Sequence, residues 1–214
     1  MFNQLTGINA LLYYLNPIFS MAGFNKVSGD MQSVAVGATM LVFTLFGMMI
    51  IDHVGRRKLL LTGSVGMAIA LGGVAAIFNT GAHKDLLIWL LLGYMVFFSF
   101  GQGAVIWVYI SEVFPNAVRG KGQTLGSFTH WFMAAVISWS FPVFARTAGE
   151  PGAGLPFVFF AAMMVLQFVV VWKFFPETKG IALEDMESAM SGKVIPPNGK
   201  PAMALGSNDA IANP

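Results

Sequence analysis

The residues of this chain best suited to chemistry are amides and aromatics rather than acids, bases or thiols. Asn3, Gln4, Asn9 and Gln102 each carry a donor and an acceptor on one rigid plane. That geometry matches adjacent hydroxyls, each of which can donate and accept. Tyr13, Trp107 and Trp131 offer flat apolar rings with a polar edge, suited to the C–H faces of a polyhydroxylated ring. His130 adds a side chain that hydrogen-bonds at either nitrogen and is open to titration. This is chemistry of holding rather than of bond breaking. An enzyme embedded in a membrane would need clustered acids, histidines or an activated nucleophile. His53, His83 and His130 are expected instead at the inner edge, the outer edge and the interior of the membrane, so the chain reads as no enzyme.

The elements that must position these groups are apolar helices. The chain has 214 residues, is 56% hydrophobic and 10% charged, and its mean hydropathy is +0.70, which marks a membrane protein. A net charge of +2 is spread over short loops rather than gathered in a patch, which excludes a nucleic-acid partner. Cysteine is absent, so disulfides and thiolate metal sites are excluded, and neither a metal nor a cofactor is expected. The opening Met1-Phe-Asn-Gln lacks the basic start of a secretory signal.

Six runs approach the roughly 20 residues needed to cross a hydrocarbon core. They lie near 1–22, 31–51, 59–79, 86–112, 123–145 and 155–175, joined by short polar connections at 23–30, 52–58, 80–85, 113–122 and 146–154. The expected fold is an all-α, six-transmembrane-helix bundle over 1–175. A cytoplasmic tail at 176–214, rich in charge and then in Pro, Gly, Asn and Ser, is expected to form a short helix and then disorder. With six alternating spans, Arg56, Arg57, Lys58, Arg119, Lys121, Lys173, Lys179, Lys193 and Lys200 fall on one side, and Lys26, Lys84 and Arg146 on the other. The positive-inside rule then places both termini in the cytoplasm.

Two spans are interrupted, and they are the first of each group of three. One carries Asn3, Gln4, Gly7, Asn9, Tyr13, Asn16 and Pro17, the other Gly101, Gln102 and Gly103 ahead of Trp107. Such breaks at corresponding positions of a three-plus-three repeat point to a transporter's binding site; close helix packing is the other reading of the glycines. Asn9, Tyr13 and Asn16 share a face at i, i+4, i+7, as do Gln123, Ser127, His130 and Ser138 in the fifth span. No Lys, Arg, Asp or Glu lies deep in any span, so the expected ligand is neutral, a sugar or polyol.

Four motifs stand in register along the chain: Gln4-Leu-Thr-Gly-Ile-Asn9 with Tyr13-Tyr14, Asp52-His-Val-Gly-Arg-Arg57, Ser111-Glu-Val-Phe-Pro with Arg119-Gly120, and Pro176-Glu-Thr-Lys-Gly180. Together they resemble the signatures of the sugar porter family of the major facilitator superfamily, in its carboxyl-terminal half. The resemblance implies one half of a major facilitator fold in a plasma (inner) membrane. It implies a neutral hexose, pentose or polyol as substrate, alternating access as mechanism, and an amino-terminal six-helix half as partner. It leaves a coupling proton open, because the driving carboxylate belongs to the other half.

By the same resemblance Gln4, Asn9, Tyr13, Trp107, His130 and Trp131 bind the sugar, and Tyr13 and Tyr14 close the outer side; Asn3, at the place of a family glutamine, and Gln102, set between Gly101 and Gly103 in the loosened helix, complete the expected site. Asp52, Arg56, Arg57, Glu112, Arg119 and Glu177 form a charge network that holds the cytoplasmic ends together. The chain departs from the family at Asn3, where a glutamine is usual, at Met40 for an asparagine, at Ala104 for a proline and at His130 for an amide. The first span starts closer to Gln4 than in the family, so it is expected to be truncated. An inactive fragment and a self-pairing half-transporter stand as the alternatives to a working carrier half.

Overall fold

The computed structural model describes residues 1–21, 26–114, 118–147 and 154–180, and all regular structure in them is helical. The tail beyond 180 and Pro115 of the third motif lie outside the described residues.

The first apolar run folds as three short helices, α1 (Phe2–Leu5), α2 (Ile8–Tyr13) and α3 (Leu15–Met21). Gly7 makes the first break. Its φ of 82° lies in the left-handed region, and a Cβ there would sit 2.5 Å from the Phe160 ring. Thr6 satisfies the backbone groups that the break releases. Its hydroxyl donates to the Asn3 carbonyl at 2.7 Å and accepts the Ile8 N–H at 3.1 Å, and the Tyr94 hydroxyl donates to the Thr6 carbonyl at 3.0 Å. Both side chains are fully buried. Lipid could supply none of these partners, so a broken helix persists here only because protein does.

Helix α4 (Lys26–Val54) and helix α5 (Arg56–Thr80) are separated by Gly55 alone. The connection expected at 52–58 is therefore a single-residue corner. Helices begin and end at backbone hydrogen bonds rather than where hydropathy falls, so α4 also starts before residue 31 and α8 (Arg119–Thr147) before residue 123.

The fourth run is one nearly continuous rod. A 3-10 turn (Lys84–Leu86) leads into α6 (Leu87–Phe98), a π-helical turn (Ser99–Gly103) and α7 (Ala104–Glu112). The loosening expected at Gly101-Gln102-Gly103 is thus a one-turn widening. The packing reading of the glycines also holds at Gly101, whose Cα faces Gly63 of α5 so closely that a Cβ would meet the Gly63 Cα at 3.1 Å. The last helix, α9 (Leu155–Phe174), opens with Pro156 in its first turn, where a missing N–H costs nothing.

Among the described residues, four helical stretches are long and apolar enough to cross a membrane: Asp30–Val54, Arg56–Thr80, Lys84–Glu112 and Leu155–Phe174. The first run is broken into three short helices, and α8 carries the polar residues Gln123, Ser127, His130 and Ser138 along its length. Helix α5 is the centre of the bundle, packed chiefly on α9 and α6, while α4 rests on α6 and the π turn and α8 on α1 and α2. In its most apolar window α5 is 56% buried against 17% for α4, so α4 lies at the periphery. One large apolar cluster joins α2 and α3 to α4, through Val36, and to α5, α6, α8 and α9. A smaller one, of Ile51, Leu59, Leu60, Val105 and Val171, sits under the Gly55 corner.

Candidate functional site

The turn at Gly7 folds α1 back over α2, and this decides where the amides meet. Asn9 Nδ2 donates to Gln4 Oε1 at 2.7 Å, and Gln4 Nε2 donates to Asn3 Oδ1 at 3.3 Å. Gln4 is 1% exposed. Its Nε2 also lies 3.0 Å from Nε2 and 3.4 Å from Nδ1 of His130 on α8. An amide nitrogen only donates, so the imidazole must offer it a lone pair. Trp107 of α7 tilts onto the same imidazole with ring centroids 4.8 Å apart, and Trp131 meets it edge-on at 5.2 Å. Four separate helices, α1, α2, α7 and α8, thereby place Gln4, Asn9, His130, Trp107 and Trp131 in one cluster.

The cluster has a polar inside and an aromatic rim. Its amides are buried or half-buried, whereas Trp107 is 42% and Trp131 64% exposed. No charged side chain bonds to any of these residues in the described part of the chain. Such a surface can hold a neutral ligand that presents hydroxyls to the amides and C–H faces to the rings.

Other residues expected in the site are placed elsewhere. Tyr13 is largely exposed, while Tyr14 turns inward, its ring 5.3 Å from Phe141 and its hydroxyl donating to the Ser138 carbonyl at 3.2 Å. The helix break at Tyr14 separates the pair. Asn16 does not share the Asn9 face either; its Nδ2 donates to Asp30 Oδ1 at 2.7 Å, near the opposite end of α4 from the Gly55 corner. Gln102 is 1% exposed; its carbonyl accepts Asn3 Nδ2 at 3.3 Å, but its side chain touches neither Trp107 nor His130 by any hydrogen bond.

The charged residues collect at the other end of α5. Glu112 takes a two-pronged contact from Arg56, with Nη2 at 2.7 Å and Nε at 3.0 Å, and accepts the Thr178 hydroxyl at 2.6 Å. Asp52 pairs with Arg56 Nη1 at 2.8 Å across the Gly55 corner. Glu177 caps α5, accepting the backbone N–H groups of Arg56 at 2.9 Å and Arg57 at 3.2 Å. Those are donors the helix itself leaves unpaired, and they carry the positive end of its dipole. Gly55, at φ 97°, leaves room for that carboxylate, since a Cβ would lie 2.6 Å from Glu177 Oε2. Arg57 reaches the Trp172 carbonyl, and Phe175 stacks on Tyr109 at 5.0 Å. Arg119 stands apart: its Nε and Nη2 are shielded from solvent and have no hydrogen-bond partner among the described residues.

Thr6, Tyr94, Thr178 and Gln167 escaped the sequence reading. A tyrosine, or a lone amide such as Gln167, inside an apolar run carries its own signal, because a polar group in lipid must find a protein or water partner. Thr6 and Thr178 lie inside the first and fourth motifs, which assign them no role; threonine is common in helices and turns alike.

The sequence model of the Sugar (and other) transporter family matches residues 1–190. The chain is 34% identical over 190 residues to a D-xylose-proton symporter of Escherichia coli K12, covering 87% of this chain and 39% of that protein. It is 32% identical over 194 residues to a glucose facilitated diffusion protein of Zymomonas mobilis, covering 87% and 40%. Among solved structures, the proton:xylose symporter XylE bound to 6-bromo-6-deoxy-D-glucose superposes with a TM-score of 0.80 at 34% identity, over 88% of this chain and 40% of that one. The chain thus spans about two-fifths of the length of these relatives. They are transporters, not enzymes, and the apolar helices accord with a multi-pass membrane protein. The chain belongs to the sugar (and other) transporter family of the major facilitator superfamily.

Proposed function

We propose that this chain is the carboxyl-terminal, six-span half of a carrier that moves a neutral hexose, pentose or polyol by alternating access. The observation that carries the proposal is the uncharged cluster of Gln4, Asn9 and His130 beneath the open rings of Trp107 and Trp131. In this reading Asn3, Gln4, Asn9 and His130 take hydroxyls, Trp107 and Trp131 take the ring's C–H face, and Tyr13 with Tyr14 close the outer side. Gln102 acts from behind, through its carbonyl on Asn3. The amino-terminal six-helix half supplies the opposite wall. Broken first and fourth spans at matching positions, one with a left-handed glycine and one with a π turn, fit the inverted-repeat logic of such carriers.

The charged group is the inner latch of the same carrier. Asp52, Arg56, Arg57, Glu112, Glu177 and Arg119 hold the cytoplasmic helix ends together while the carrier faces outward and let go when it faces inward. The unpartnered guanidinium of Arg119 is the point at which the other half docks. A bound sugar shifts the equilibrium by its differential affinity for the two states. Both termini lie in the cytoplasm, the membrane is the plasma (inner) membrane, and residues 176–214 form a cytoplasmic tail.

The test is transport by the complete carrier, comprising this chain and its amino-terminal half in proteoliposomes, against radiolabelled pentoses, hexoses and polyols. Trp107→Ala should abolish or strongly weaken sugar binding; unchanged uptake would sink the site. Vesicles containing this chain alone should take up no sugar. Uptake by them would show a self-pairing carrier instead.

A further inference from the structure

Two buried amides remain outside the hydrogen-bond network. Gln102 is 1% exposed, and neither its Oε1 nor its Nε2 has a hydrogen-bond partner among the described residues; Gln167, on α9, is equally buried and its Oε1 has none there either. They come from elements far apart in sequence, the π turn and the last helix, yet both line one cavity of about 90 Å³ together with Asn3, Leu60, Ile106 and Val171, with Met1, Phe2 and Phe175 at its margin. Each buried hydrogen-bonding group left unmade costs about 1–3 kcal/mol. Two such amides facing one space are satisfied by an occupant that both donates and accepts.

Size decides which occupant. Water takes up about 30 Å³ and needs two to four polar partners, so the cavity accommodates about three molecules. A sugar ring, many times larger than a water, does not fit. An ion is disfavoured because no charged side chain lines the space.

We propose that this cavity is a water site, in which a short chain of waters bridges the Gln102 amide to Gln167 Oε1 and ties the π turn to α9. Asn3 connects it to the amide cluster, since its Nδ2 donates to the Gln102 carbonyl and its Oδ1 accepts from Gln4 Nε2. On the other side, Leu60 and Val171 belong to the apolar cluster under the Gly55 corner. The waters therefore occupy the layer between the amide cluster and the inner latch. They give the widened turn partners without a rigid protein contact. The inference stands whether or not the ligand above is a sugar.

X-ray hydroxyl-radical footprinting of the full chain in lipid nanodiscs tests it, with water itself as the probe. Radicals formed from bound water label side chains that bulk solvent does not reach. Leu60 and Val171, each 1% exposed, should take up label, and after mixing into ¹⁸O water their label should exchange more slowly than that of exposed residues. Leu91 and Val74, fully buried in the apolar core, should take up none. Replacing both amides, Gln102→Leu with Gln167→Leu, should abolish label at Leu60 and Val171 while the melting temperature is kept or raised. Either single replacement should melt below the double, because it leaves one amide short of partners. Leu60 and Val171 as silent as Leu91 in the unmodified chain would overturn the proposal, as would label that persists in the double variant. Silence would mean a dry cavity with the two amides bonded to each other; persistence would mean bulk water entering by opening of the bundle.

Discussion

The amide cluster and the inner latch are held together in opposite ways. The cluster uses neutral groups and leaves its aromatic rim exposed; the latch uses charges and shields its central pair, with the Arg56 side chain 10% and the Glu112 side chain 17% exposed, while Asp52 stays open to solvent. A net hydrogen bond between neutral groups is worth about 1 kcal/mol, small enough for a ligand to bind and leave. A two-pronged Arg–carboxylate pair is roughly twice as strong and fixed in geometry. It is also costly to open halfway, because a partly buried charge is then left alone. Each region rests on one glycine with a positive φ, Gly7 in the cluster and Gly55 in the latch. A carrier needs both kinds of contact: a soft one at the ligand and a cooperative one between its states.

The largest effects should come from those two glycines. Gly7→Ala meets the Phe160 ring in a left-handed backbone and should cost about 3 kcal/mol, with a fall in melting temperature and loss of sugar binding. Gly55→Ala meets Glu177 and should destabilise by a similar amount, about 3 kcal/mol, yet leave sugar affinity within about threefold once the protein is folded. If isothermal titration shows both variants equally unable to bind, the two regions are one unit and the contrast fails.

Glu112→Gln comes next. It deprives Arg56 of its two-pronged partner and should shift the carrier toward the inward-facing form by about 3 kcal/mol. The readout is maleimide labelling of a cysteine introduced by Lys58→Cys, which should accelerate; an unchanged rate would count against the latch. Asn9→Ala is smaller. Losing its bond to Gln4 and one ligand contact should weaken sugar binding roughly tenfold without altering that labelling rate. The smallest effect expected is from Glu177→Gln, which keeps one oxygen for the cap but loses the charge at the helix dipole. It should lower stability by about 1 kcal/mol, and the loss should shrink in high salt, as the Asn9→Ala effect should not.

Much of this was legible in the chain itself. Mean hydropathy marked the class, and the lack of charge deep in the runs led to the expectation of a neutral ligand, because a lone charge in lipid is too costly to carry without purpose. Gly7 and Gly101-Gln102-Gly103 marked the breaks, since only an interrupted helix needs such residues in an apolar run. The bounds were less legible, because hydropathy records where lipid ends and not where the backbone stops bonding. The connection at 52–58 collapsed to Gly55 for that reason.

What the sequence determined by itself was which residues carry function-bearing groups and roughly how deep each lies, because polarity and period are local properties. Which of them meet was decided by the tertiary structure. Asn9, Tyr13 and Asn16 share a face on an unbroken helix, but the turns at Gly7 and Tyr14 send Asn9 to Gln4, Tyr13 outward and Asn16 to Asp30. Gln102 and Gln167 are 65 positions apart, and nothing in either neighbourhood announces the other. Side chains that touch across a bundle are brought together by the packing of α5 against α9 and the π turn, a sum over many apolar contacts that no single motif contains.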